Sequence, residues 1–300
     1  MTMELRTLRY FLTVLQEGSI TNASKRLHVT QPTLSRQLSE LERELGRSLY
    51  TRSHSGVTPT EHGAMLAKYA ESIVDLAEKA EGDVKLPSMT VSGSVHIGCG
   101  ETRAMEQLAD AMISTRGEYP EVDFKLYSGT TAELTDGLVR GQFDFLLECE
   151  LQPHANMNVL PLSHKDRWGA IVRDDDPLAK LDAVEVEDIA TRSLITSRQG
   201  TKTGKLREWL GDAADEVEVV AEYSLAMNAK FLVRKGVGVA LAYEGLIADT
   251  DSDLRFVPLD PALVSEHGLV WRKTLPSRQA QVFLDAVRRQ QDEATQEVVA

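Results

Sequence analysis

Only two cysteines occur in the 300 residues, Cys99 and Cys149, too few for a disulfide scaffold. Without other ligands at metal spacing they cannot form a zinc site either, and such usage fits a reducing compartment. No run of eighteen apolar residues exists, which excludes a membrane-spanning helix. The apolar stretch from Leu5 to Leu15 is broken by Arg6, Arg9 and Thr13, so it does not read as an export signal, and a cytoplasmic protein is expected. Catalytic signatures are lacking too. The seven histidines form no HExxH or paired-ligand spacing, no serine sits in a GxSxG elbow, and Gly236-Val237-Gly238 is a lone GxG without the third glycine of a dinucleotide loop. Neither an enzyme nor a resident cofactor or metal is expected.

Positive charge is scarce as well: 33 Lys and Arg stand against 46 Asp and Glu, a net of −13. The cations are unevenly placed. Residues 1–60 hold eight Lys or Arg against five Asp or Glu, a net of +3, which leaves −16 for the remainder. Only the N-terminal part suits a polyanion. Its affinity would rest on a few placed cations and fall steeply with salt, because the acidic remainder repels nucleic acid in general.

What fills this basic region is a pair of short amphipathic helices between Ser19 and Gly46. Ile20, Ala23 and Leu27 fall at helical spacing, and the small Ala23 lets a second helix approach closely. After a turn at His28 and Val29, Thr30 can cap the next helix, with Pro32 in its first turn where a missing N–H costs nothing. Leu34, Leu38, Leu41 and Leu45 then form one buried stripe, and Gly46 stops the helix. The opposite face carries Gln31, Thr33, Ser35, Arg36 and Gln37. Arg pairs with guanine or phosphate, Gln with adenine, and hydroxyls with either, so this face has the composition of a recognition helix.

A solvated helical hairpin would also carry polar residues, and the flanks decide between the two. Upstream, Leu5, Leu8, Phe11, Leu12 and Leu15 predict a helix that packs across the pair. Downstream, Leu49 to Arg52, a Ser55-Gly56 turn and Val57 to Pro59 predict a β-hairpin wing that brings Arg52 and His54 near the phosphates or minor groove.

Three hundred residues exceed what one core usually organises, so two or three domains are expected. From Thr60 to about Lys85, Leu66, Tyr69, Ile73, Leu76 and Ala80 recur at steps of three, four, three and four, the spacing of a coiled-coil seam. Pairing with a second copy is preferred over packing within the chain, because a helix this long needs a partner for its stripe and a symmetric DNA reader needs two copies. Leu86-Pro87-Ser88 ends the helix, and Pro87 with Gly93 makes a hinge. Beyond it, strands and helices alternate: strands at Val95 to Cys99, Val122 to Tyr127 and Phe143 to Glu148, then a second series from Trp168 through Ala242. Two α/β subdomains follow.

In open parallel sheets, ligands bind beyond the carboxyl ends of strands. That rule selects Glu101-Thr102-Arg103, Ser128-Gly129-Thr130-Thr131, Glu148 to Glu150 and Ser197 to Thr203, although Thr102, Thr130 and Thr201, each taken alone, read more readily as helix caps. Arg103, Arg198 and Lys202 favour an anion, Glu101, Glu148 and Glu150 favour a donor-rich or cationic group, and an amphoteric or polyhydroxylated metabolite would satisfy both. Strand alternation keeps Glu148 and Cys149 from facing one cleft together. A disulfide switch between Cys99 and Cys149, at the ends of neighbouring strands, is an alternative to inert thiols, with no basic residue flanking either sulfur. A solute-binding protein is the other alternative, opposed by the N-terminal helices.

The order and wording of these elements resemble the LysR-type transcriptional regulators. The resemblance rests on LRYFLTVLQEGSITNASKRLHVTQPTLSRQLSELERELG, then LYTR and TEHG, dense over about the first 65 residues and looser to the C-terminus. It implies a winged helix-turn-helix (1–59), a dimerising linker helix (60–89) and a two-lobed, periplasmic-binding-protein-like α/β effector domain (90–300). Its lobes would be 90–162 with 266–300, and 163–265, the chain crossing near Leu162 to Lys165 and Leu263 to Glu266. The resemblance further implies operator DNA as a partner, a homodimer that joins into a homotetramer, RNA polymerase as a candidate partner, and a small-molecule effector between the lobes. Thr102, Thr130, Thr131, Ser197, Arg198 and Gln199 match the family's usual effector contacts, with Met227 on the facing helix, beside Glu101, Arg103, Gly129, Glu148 and Thr201 from the strand-end rule.

Overall fold

The structure is a computed structural model and describes residues 3–53, 56–85, 91–198, 204–247 and 253–299. The chain divides into two compact units, Met1–Leu86 and Pro87–Ala300. His54, Gln199, Thr201, Lys202 and the Leu86-Pro87-Ser88 breaker lie outside the described residues.

In the first unit, α1 (Leu5–Glu17), α2 (Ile20–Arg26) and α3 (Gln31–Leu45) precede a two-stranded hairpin of β1 (Tyr50–Ser53) and β2 (Gly56–Pro59), and α4 (Glu61–Lys85) follows. The local signals act as their chemistry dictates. Gly18 and Gly46 end α1 and α3 in left-handed conformation, which a glycine adopts without Cβ strain. Ser19 caps α2, its Oγ accepting from the Asn22 N–H. Phe11, Val14, Ala23, Leu34, Leu38 and Leu41 form the core, and Ala23 is fully buried where α2 meets its neighbours. Gly63 is required by packing: a Cβ there would lie 1.7 Å from the Leu49 carbonyl oxygen, so the hairpin can close on α4 only without a side chain.

Helix α4 has two apolar faces. Leu66, Ala70 and Val74 pack against Leu8 and Leu5 of α1. Tyr69, Ile73, Leu76 and Ala80 are exposed, as is Met65. This corrects one member of the seam read from the sequence. Leu66 belongs to the inward face, because heptad spacing alone cannot say which stripe the chain itself covers.

The second unit carries a continuous mixed sheet. Its first lobe is built from β3 (Gly93–Cys99), α5 (Met105–Glu118), β4 (Val122–Ser128), α6 (Thr131–Val139) and β5 (Phe145–Cys149). The parallel strands run β4-β3-β5, and β11 (Val264–Arg272) adds antiparallel to β5. Helix α10 (Arg278–Val299) packs Phe283, Leu284 and Val287 into the same core as Val95, Ile97, Leu108, Phe145 and Trp271. The second lobe holds a short α7 (Val186–Ile189), β7 (Leu194–Ser197), α8 (Lys205–Leu210), β8 (Val219–Tyr223), α9 (Met227–Arg234), β9 (Val239–Tyr243) and β10 (Leu254–Pro258). Its core gathers Trp168, Val172, Leu194, Leu206, Leu241 and Val257.

The lobes are joined through β6 (Met157–Arg173), a 17-residue strand. Its first part, Met157 to Arg167, pairs with β11, and Trp168 to Arg173 pairs with β9 and β10. The sequence predicts a strand starting near Trp168 after an irregular crossing. The polar run Ser163-His164-Lys165-Asp166-Arg167 hides the strand, whereas the ladder to β11 keeps it extended. The strand β10 carries no clear alternation in sequence and emerges only from its pairing with β6.

Candidate functional sites

Helix α3 is positioned for recognition by its own cap. Thr30 sits in extended conformation, and its Oγ1 accepts from the Thr33 N–H at 3.4 Å and lies 2.8 Å from Thr33 Oγ1. The first turn thereby presents Gln31, Pro32 and Thr33 to solvent, with Arg36 exposed one turn further and without a partner among the described residues. Ser35 and Gln37 are half-buried, and the Gln37 Oε1 accepts from the Thr7 hydroxyl at 3.4 Å. Gln37 therefore helps seat α3 on α1 as well as flanking the polar face. On the hairpin, the Arg52 guanidinium lies 5.5 Å from the Tyr50 ring centroid and donates to the Tyr50 hydroxyl at 3.2 Å. This holds it at the edge of the wing.

In the second unit a cleft of about 270 Å³ opens between the lobes. Glu101, Gly129, Thr130, Thr131, Ser197 and Arg198 line it, as the strand-end rule predicts. Four other candidates are placed elsewhere. Thr102 is buried, and its hydroxyl donates to Asp166 Oδ2 at 2.5 Å. Arg103 turns to Glu106 on the outside of α5, at 3.2 Å. Glu148 is buried against His154, whose Nε2 lies 2.9 Å away, because alternation along β5 sends Cys149 into the cleft instead. Met227 is 56% exposed and is not among the cleft-lining residues.

Beside Cys149 and Glu150 of the strand-end segment Glu148 to Glu150, the cleft contains residues that were not singled out as site residues from sequence: Trp168, Tyr223, Ser224 and Tyr243. Glu150 was legible as a strand-end carboxylate. The aromatics come from strand positions that sequence reads only as core. Trp168 and Tyr243 meet edge to face with ring centroids 4.5 Å apart, and the Trp168 Nε1 donates to the Ser265 hydroxyl at 2.9 Å. The Tyr223 hydroxyl donates to the Leu241 carbonyl at 2.8 Å. Burial raises the pKa of Glu101, opposed by the Ala226 N–H that donates to its Oε2. Burial also raises Glu150, opposed by the Lys205 backbone N–H and charge and by Ser265.

Both thiols are held protonated. Burial pushes Cys99 up to about 12, and Cys149 is raised first by burial and then by the negative charges around it. A redox switch needs thiolate, so the geometry favours inert thiols.

At the junction of the lobes lies a cluster that sequence spacing does not reveal. Asp166 on β6 is 2% exposed and faces Thr102, His164 Nε2 at 2.9 Å and His267 Nε2 at 3.1 Å. The His267 contact is at ion-pair distance but off the line of a hydrogen bond. Burial raises the Asp166 pKa, yet the nearby His267 ring and the bonds from Thr102 and His164 outweigh it and leave the carboxyl below its ordinary value. Among the described residues no group of three His, Cys, Asp or Glu is placed to hold a metal ion, and no helix is long and apolar enough to cross a membrane.

Comparison with known proteins gives a consistent picture. Residues 5–64 match the family described as "Bacterial regulatory helix-turn-helix protein, lysR family", and residues 89–292 match "LysR substrate binding domain". The nitrogen assimilation regulatory protein nac of Klebsiella aerogenes is 36% identical over 173 residues, spanning 57% of this chain and 57% of that relative. Its Escherichia coli (strain K12) namesake is 29% identical over 250 residues, 81% of this chain and 79% of its own length. The regulator IlvY of Escherichia coli (strain K12) is 25% identical over 84% of this chain and 86% of that protein. Among solved structures, full-length CbnR complexed with its target DNA shares the fold with a TM-score of 0.73 at 21% identity, over 96% of this chain and 99% of CbnR.

Proposed function

The chain belongs to the LysR family of bacterial transcriptional regulators, with a DNA-binding and an effector-binding part, and we propose that it reads operator DNA as a dimer through α3 under control of a small molecule in the cleft. The observation that carries this reading is the capped first turn of α3, which exposes Gln31, Pro32, Thr33 and Arg36, without a partner among the described residues, together within the net-basic stretch 1–60. Arg36 would supply guanine or phosphate pairing, Gln31, Thr33 and Ser35 would read base edges, Arg52 and His54 would hold the backbone, and Thr30 would fix the helix end.

Two such helices are needed for a two-fold operator. The exposed stripe of Tyr69, Ile73, Leu76 and Ala80, with Met65 in place of Leu66, suits pairing of two α4 helices. Assembly of two dimers into a tetramer, contact with RNA polymerase and action in the cytoplasm belong to the same reading and are supported by family membership.

The effector contacts of this reading are Glu101, Gly129, Thr130, Thr131, Glu150, Ser197 and Arg198. Ligand bound between the lobes would favour one lobe arrangement and so change how paired subunits present α3 to DNA. A gel-shift titration of Arg36→Ala on operator DNA tests the reading face. Weaker binding with the fold intact is expected, and wild-type affinity refutes it.

A further inference from the structure

Among the described residues, the charges that reach the cleft are not those of an anion site. Of the cations in its polar segments, Arg103 is turned away to Glu106, and among the described residues Arg198 alone lines the cavity. Facing it are two carboxylates, Glu101 and Glu150. The N-terminus of α6, the other natural anion seat, already has a negative group of its own: the Glu133 Oε2 accepts from the Thr130 N–H at 3.1 Å and from its hydroxyl at 2.8 Å.

The hydrogen-bonding groups point the same way. Trp168 Nε1 is given to Ser265 and the Tyr223 hydroxyl to Leu241, so these two aromatic walls offer ring surface rather than donors. Glu101 uses Oε2 for the Ala226 N–H, while its Oε1 has no partner among the described residues. Glu150 is held in the left-handed region at φ 59°, an uncommon conformation for a side-chain-bearing residue, with its carboxylate against Gly204. Both carboxylates act on Cys149 between them. Among its described lining residues the cavity thus sets two carboxylates against one guanidinium and adds aromatic faces, the combination that stabilises a positively charged nitrogen through charge-assisted hydrogen bonds and cation–π attraction.

We propose that the effector is a small metabolite carrying an ammonium group, which Glu101 and Glu150 hold against the rings of Trp168 and Tyr243. The proposal rests on the effector reading of the cleft. An anionic group on the same molecule meets Arg198 and the Ser224 hydroxyl, so amino acids are the fitting compounds, and a volume of about 270 Å³ suits that size.

The test uses the full-length chain in thermal-shift and calorimetric titrations with matched pairs: each standard L-amino acid beside the 2-hydroxy acid of the same side chain. Binding is expected among the amino acids, with the hydroxy acids at least about tenfold weaker. Glu101→Gln and Glu150→Gln should each weaken binding about tenfold or more, whereas Glu187→Gln, the same charge loss on the surface of α7, should not. Equal binding of the hydroxy acids, binding unchanged in both cleft variants, or no binding by any amino acid overturns the proposal. Ala132→Trp, which fills the cleft from α6, separates the two readings. A hydroxy acid whose binding is lost in Ala132→Trp overturns the ammonium assignment and leaves the cleft as effector site; any compound that binds Ala132→Trp as tightly as wild type overturns both.

Discussion

Replacing Asp166 by asparagine keeps the shape of the side chain and removes its charge from the junction between the lobes. The carboxylate faces three donors, Thr102 Oγ1 at 2.5 Å, His164 Nε2 at 2.9 Å and His267 Nε2 at 3.1 Å, in a site where Asp166 and His267 are almost fully buried. An amide has one acceptor oxygen for these donors and turns its own N–H groups toward the rest. Hydrogen bonds to a charged group contribute about 1.5–3 kcal/mol each. The amide keeps one of the three contacts and the His267 contact is poorly aligned, so about 1.5–2 kcal/mol for each of the two lost, about 3–4 kcal/mol together, is expected. All three tryptophans, Trp168, Trp209 and Trp271, lie in the second unit, so their fluorescence during urea unfolding reports on that unit alone. With a slope of about 2–3 kcal/mol/M, the midpoint should fall by roughly 1.5 M. The effect has a pH signature. The folded-state pKa of Asp166 is lowered, so its contribution is fully present above the ordinary aspartate value of about 3.9 and is lost as pH falls through the folded value. The gap between wild type and Asp166→Asn should be full at pH 7 and close in acid. A gap under about 1 kcal/mol at pH 7, or one that persists in acid, refutes the assignment of a stabilising carboxylate.

Thr102→Ala should lose about 1–3 kcal/mol in the same urea assay by leaving Asp166 one donor short, while ligand affinity in the cleft stays unchanged; altered affinity would place Thr102 in the ligand site after all. Gly63→Ala forces a methyl group onto the Leu49 carbonyl and should destabilise the first unit by about 1–3 kcal/mol, read as a lower melting temperature by circular dichroism. Ile73→Glu puts a carboxylate into the exposed stripe of α4 and should give monomers in analytical ultracentrifugation at concentrations where the wild type is dimeric; an unchanged mass would remove that stripe from the interface. If Arg36 pairs with phosphate, Arg36→Ala should also reduce the slope of log affinity against log salt by about 1, and an unchanged slope would move Arg36 from the backbone to a base edge.

Much of the first unit is legible in the chain because its determinants are local. The Leu34, Leu38 and Leu41 stripe, the Thr30 cap and the Gly46 stop act within one or two turns of the helix they define, and they place the polar face of α3 without reference to anything distant. The same holds for the strand ends in the second unit, where Gly129, Thr130 and Thr131 follow β4 directly and enter the cleft. Reading fails where a residue has two neighbourhoods to choose from. Leu66 fits a heptad seam equally well from either side of α4, and only the covering of that side by α1 decides. Arg103 lies two residues after Glu101, yet it turns to Glu106 on α5 instead of entering the cleft.

Sequence by itself determined the order of elements, the basic recognition helix, the acidic α/β remainder and the membership in a regulator family, all of which depend on periodicity, caps and composition along a short stretch of chain. Tertiary structure alone decided that one strand, β6, runs through both lobes, that Asp166 gathers Thr102, His164 and His267 from three parts of the chain, and that Trp168, Tyr223 and Tyr243 line the cleft while Arg103 and Glu148 do not. The reason is physical: a side chain's charge and hydrogen bonds act on whatever folding brings within a few ångströms, and those distances are set by strand pairing between residues more than a hundred positions apart.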